Sequence, residues 1–120
     1  MPAIINKTNQ FNQPINIKIC KSFLSRFTGL MFLKELHPGE GIAIVEPIEG
    51  ITSTSIHMFF MRFDIAAIWL NSDLVVVHKS IAKKWKPYYA SPTPAKIILE
   101  THISRIDDFN IGDQIAFENE

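Results

Sequence analysis

Ile65-Ala-Ala-Ile-Trp-Leu70, then Asn71-Ser-Asp73, then Leu74-Val-Val-Val-His78 is the stretch that decides the fold class. Two apolar runs rich in β-branched residues flank a three-residue polar turn, which predicts a β-hairpin. Period-two alternation precedes it at Ile15, Ile17 and Ile19, with Asn16 and Lys18 between them, and predicts a half-buried strand. Gly41 to Val45 reads as a strand stopped by Pro47, Ile51 to Met61 as extended chain, and Ala95 to Glu100 and Gln114 to Phe117 as further strands.

Helical periodicity is confined to one place. Phe23, Phe27, Leu30 and Met31 fall at i, i+4, i+7 and i+8, and Ser22 is a suitable N-cap, so a short helix is expected near 22–29, ended by Gly29. Ser104-x-x-Asp107 resembles a capping box before a one-turn helix. Residues 1–14, rich in Asn and Gln and ended by Pro14, are expected as a flexible N-terminal arm with a short edge strand at Ala3 to Ile5. Residues 15–118 are expected as one domain. The fold class is therefore mainly β: a compact barrel-like or sandwich domain of six to seven short strands.

The chain has 120 residues, 12 Lys+Arg and 12 Asp+Glu, so its formal charge is zero. That balance gives no bulk attraction for phosphate and argues against nucleic acid as partner. It sums over uneven parts. Lys79 to Lys86 holds four cations and no acid, while Asp107 to Glu120 holds five acids and no Lys or Arg. Cys20 is the single cysteine, read as a small buried hydrophobe. No apolar run is long enough for a signal peptide or a membrane span, so a soluble, cytoplasmic protein is expected. No cofactor is implied.

Three stretches in order resemble one family: Ser25-Arg-Phe-Thr-Gly-Leu-Met31; Ser55-Ile-His-Met-Phe-Phe-Met-Arg-Phe63 leading into Ile65 to Leu70; and Ile98-Leu-Glu100 followed by Gly112-Asp113. Together they resemble the bacterial and archaeal family called domain of unknown function 192, over about residues 20–118. The resemblance implies a small, mainly β, barrel-like fold with a short helix near the start, and no established activity. The sequence departs from the family's pattern in three places. Where the family has Pro-Ile-Asp or Pro-Leu-Asp, this chain has Asp64, Ile65 and Ala66; its Ala-Gly is Ile103-Ser104 here; its Pro-Trp-Arg is Lys84-Trp85-Lys86.

Several residues are candidates for a pocket: Arg26, His57, Met61, Arg62, Asp64, Trp85 and Glu100. His57, Met58 and Met61 are ligand types suited to a soft metal such as Cu(I), but Met and Phe side chains at this density read first as core, and no metal site is assigned. Arg62 and Asp64 share a strand face and are expected to pair. Glu100, read at a strand end, could work with His57 as a general acid/base pair. No nucleophile elbow, phosphate loop or His-Glu-x-x-His motif occurs, so an enzyme is not the leading reading. The expected function is a small ligand-binding or accessory module with an unidentified small ligand or protein partner and an oligomeric state left open. The alternatives are a hydrolase-like enzyme using His57 with Glu100 or Asp64, and a protein-interaction adaptor using the Trp85–Tyr89 loop.

Overall fold

The structure is a computed structural model, and the described residues are 2–118. The Phe23 side chain, expected on the helix's apolar face, lies outside the description. Seven strands form one curled sheet, β1 (Ala3–Asn6), β2 (Ile15–Cys20), β3 (Glu40–Gly50), β4 (Ile65–Leu70), β5 (Val76–Ala82), β6 (Ala95–His102) and β7 (Ile115–Glu118), in spatial order β5-β4-β6-β3-β2-β1-β7. All neighbours are antiparallel except β2 and β3. The edges approach at one end. Val75 bridges Gln114, and Ile115 N–H donates to Leu74 O at 2.9 Å. The sheet is thus a half-barrel pinned at that end, which hides part of both edges.

Strand alternation sorts the core into two clusters. One face gathers a residue from every strand: Ile4, Ile17, Ala43, Ile68, Val76, Leu99 and Ile115 are all buried there, with Phe109 beside them. The opposite face carries Cys20, Ile42, Ile44, Ala67, Trp69 and Ile98, and is closed by Leu30, Ile56, Met58 and Met61 from outside the sheet. β4 lies between β5 and β6 with both faces covered, so all six of its residues are buried. That is why the deciding stretch reads as unbroken apolar sequence rather than as an alternation.

The short helix, α1 (Phe23–Thr28), begins at Ser22, whose side chain accepts from Ser25 N–H, and ends at Gly29 with φ 48°. Such a φ is costly for any residue with a Cβ. Buried Arg105, on a 3-10 turn (Ile103–Asp108), ties three segments together: it donates to Pro38 O, Gln13 O and Asp108.

Some expectations are corrected. β3 does not stop at Pro47 but runs to Gly50 with an irregularity after Val45, because Lys96 Nζ holds the carbonyls of Glu46 and Pro47 at 3.2 Å. Ile51 to Met61 is turns and one isolated bridge, not a strand. Trp69 Nε1–H donating to Thr54 O at 2.8 Å fixes it over the sheet. β5 runs past His78, where the apolar run ends, to Ala82. The 3-10 turn is capped by His102, whose Nδ1 accepts from Ser104 N–H, and not by Ser104. In the 1–14 stretch, β1 sits between β2 and β7 rather than at an edge, with Ile4 fully buried. Phe27 is mostly exposed, while Leu30 is buried.

Gly41 sets the spacing between β3 and β6. A Cβ there would lie 2.7 Å from the carbonyl oxygen of Glu100. Gly41→Ala is expected to lower unfolding free energy by about 1–3 kcal/mol. Gly39→Ala, whose Cβ would meet the flexible end of Gln13 at 3.2 Å and Pro14 O at an ordinary 3.7 Å, should cost less, and urea denaturation of the two variants tests the order.

Candidate functional site

A cavity of about 250 Å³ opens on the face of the sheet beneath α1. Its walls combine apolar Leu30, Ile44, Met61 and Ile98 with polar Arg26, Glu46, His57 and Glu100. Four of the seven pocket candidates therefore meet here: Arg26, His57, Met61 and Glu100. Arg62, Asp64 and Trp85 lie in separate clefts that are larger but more open.

Glu100 is not at a strand end. It sits inside β6, paired with Ile42 of β3 and Ala67 of β4, and is 5% exposed. Among the described residues its carboxyl group has neither a hydrogen bond nor an ion pair. Gly29 makes the approach from above: a Cβ there would lie 3.3 Å from Glu100 Oε1 and 3.5 Å from Ile42 Cδ1. Loss of water penalises the charged form, and burial pushes the Glu100 pKa up from 4.5 to about 7. Burial also pushes up the thiol of neighbouring Cys20, with a smaller contribution from the Glu100 charge.

Arg26 does not serve Glu100. Its Nε is 3.3 Å from Glu46 Oε2 and its Nη1 donates to Lys21 O at 2.6 Å. His57 clamps the covering loop to the helix. Its Nδ1 accepts from Phe59 N–H at 3.2 Å, which leaves the proton on Nε2, 3.2 Å from Phe27 O. Its ring lies between those of Phe27 and Phe59, at 5.2 and 5.5 Å. With both ring nitrogens engaged by backbone, it has no lone pair free to act as a base. Met58 and Met61 are buried among apolar side chains as packing.

The expected Arg62–Asp64 pair is not formed. Asp64 accepts from Lys84 N–H at 2.8 Å and lies 3.8 Å from Lys83 Nζ, while Arg62 is exposed. The following loop has taken the carboxylate that strand spacing offered to Arg62. Trp85 is half-exposed, with φ 68°; its ring packs at a tilt against Phe60, which packs at a tilt against Phe32, each centroid pair 5.1 Å apart. Phe60 and Phe32 also have positive φ, held by Trp85 N–H to Met58 O and Phe32 N–H to Phe60 O. Sequence reading missed this ring ladder, because nothing local signals positive φ at a bulky residue. It also missed Glu46, and the contact that the Gly29 helix stop makes with Glu100, which matter only once the chain is folded.

Fold and site together define a small half-barrel protein whose cavity centres on one buried carboxyl group. The chain belongs to the domain of unknown function 192 (DUF192) family, described as "Uncharacterized ACR", whose model matches residues 3–117. It is 37% identical over 116 residues to a UPF0127 protein of Thermococcus kodakarensis, covering 95% of this chain and 72% of that one. It is 36% identical to a UPF0127 protein of Pyrococcus furiosus, covering 95% and 97%. A crystal structure of a Sinorhizobium meliloti protein, described as a candidate transcription regulator, superposes with a TM-score of 0.84 at 14% identity, covering 97% and 91% of the two chains. A protein of unknown function from Novosphingobium aromaticivorans gives 0.81 at 16%, covering 96% and 82%. At such identities the two structures show the shared fold alone.

The raised pKa of Glu100 has a consequence for stability. Below pH 4.5 the folded and unfolded chains both hold its proton; between 4.5 and about 7 only the folded chain does, so stability falls as pH rises through that window. The loss is at most about 3 kcal/mol. Glu100→Gln is expected to remove this component, so urea midpoints from pH 4.5 to 8 should fall more steeply for the wild type. Equal slopes would contradict the assignment.

Proposed function

We propose that the protein is a small-ligand-binding module whose ligand seats in the cavity beneath α1, against Glu100. The observation that carries the reading is the carboxyl group itself. Glu100 is 5% exposed and lines the cavity without a hydrogen bond from the protein, so its oxygens are met there by water or by a small polar ligand that displaces it. At about 250 Å³ the cavity lies below the roughly 300–1,000 Å³ of drug-sized sites, so the ligand is small.

The alternatives have less support. A hydrolase needs a free base, and His57 spends its ring nitrogens on the backbone. Asp64 lies in a different cleft, bound to the Lys83–Lys84 segment. The Trp85–Tyr89 loop is stapled inward: Tyr89 and Ile56 exchange backbone hydrogen bonds, and Met58 N–H donates to Lys86 O. Its clearest task is to close the core over Met58. The balanced net charge speaks against nucleic acid as partner. A cytoplasmic setting fits the single buried thiol, which has no cysteine to pair with. No helix among the described residues is long and apolar enough to cross a membrane.

The test is an NMR titration with small-molecule fragments. Saturable shifts are expected at the amides of Gly29, Ser55 and Glu100, weakened or abolished by Ser55→Leu, which adds bulk at the cavity wall. Fragments that shift only residues elsewhere, or none at all, would contradict the reading.

A further inference from the structure

We propose that the ligand is a primary ammonium on a short apolar stem, its charged end seated against the Glu100 carboxylate. This rests on the binding reading above and names the chemistry it requires.

The argument is a charge count around Glu100, element by element. From α1, Arg26 faces the cavity, but Glu46 of β3 neutralises it at 3.3 Å and Lys21 O occupies Nη1. From β2 come Cys20, a buried thiol whose pKa is pushed up, so it stays uncharged, and Lys18, exposed, in the cross-strand row of Ile42 and Glu100 but lining the neighbouring cleft rather than this cavity. From β4, directly across the ladder, comes Ala67, and no residue of β4 titrates. From the covering loop comes His57, both nitrogens committed to backbone. The uncompensated group is Glu100.

This count discriminates between ligand classes. An anion would meet a carboxyl group, and the one Lys or Arg lining the cavity, Arg26, is already held by Glu46. A neutral alcohol could donate one hydrogen bond but leave the charge desolvated. An ammonium supplies three N–H donors and the opposite charge together. The remaining walls suit its stem: Leu30, Ile44, Met61 and Ile98 are apolar. A cavity this shallow admits a free alkylamine or the end of a lysine side chain. The two share one chemistry.

Three probes of similar size, isopentylammonium, isopentanol and isovalerate, and one larger, N-acetyl-lysine methylamide, test the assignment by NMR titration of the intact chain. At about pH 8, isopentylammonium is expected to bind roughly tenfold or more tighter than isopentanol, with isovalerate weakest. The advantage should shrink at about pH 5, where Glu100 is protonated, and in Glu100→Gln. The wild-type pH comparison stands even if that variant folds poorly. Tighter binding of the lysine derivative than of isopentylammonium would put the ammonium on a protein chain; the reverse would put it on a free amine. Isopentanol or isovalerate binding as tightly as isopentylammonium at pH 8 overturns the ammonium assignment and leaves the binding reading standing. If no probe moves the Gly29, Ser55 or Glu100 amides, both fall.

Discussion

Glu100 carries an ionisable carboxyl group into the middle of a seven-stranded sheet, with β3 on one side and β4 on the other, and no partner group offsets its loss of water. The surrounding structure is shaped by that placement. Gly29 ends α1 with a positive φ and lets the helix terminus rest against the carboxyl group, where a Cβ would crowd it. Arg26, the cation best placed to neutralise Glu100, is instead bound by Glu46. A fold selected for stability alone would fill such a position with an apolar side chain.

The covering elements are held by contacts of their own. The 51–64 segment has β-prone residues but no ladder, and is held by three kinds of tie: Trp69 Nε1–H to Thr54 O, the His57 clamp, and backbone bonds between Ile56–Met58 and the 85–89 loop. These ties close the core over Met58 and Met61 yet leave an opening beneath α1. The left-handed backbone at Phe32, Phe60 and Trp85 is the cost of turning those loops tightly, on the order of 1 kcal/mol or more at each.

The legible parts of the sequence were those set by neighbours along the chain. The 65–78 hairpin, the Ser22 cap and the Gly29 stop follow from local turn and capping chemistry, and the family's motifs follow the same order. Glu100 and His57 were singled out from residue type alone. What escaped was what only folding brings together. Lys96 carries β3 past Pro47 by holding two carbonyls about fifty residues away. Lys83 and Lys84 take Asp64 from Arg62. The β propensity of Ile51 to Met61 goes unused, because β3 and β4 already have their partners in β6.

The most direct measurement is the pH titration of the Glu100 side-chain carboxyl resonance by carbon NMR, alone and with isopentylammonium. The account predicts a midpoint near 7 in the free protein and a downward shift when the amine is added. A midpoint near 4.5 that the amine leaves unmoved would contradict it.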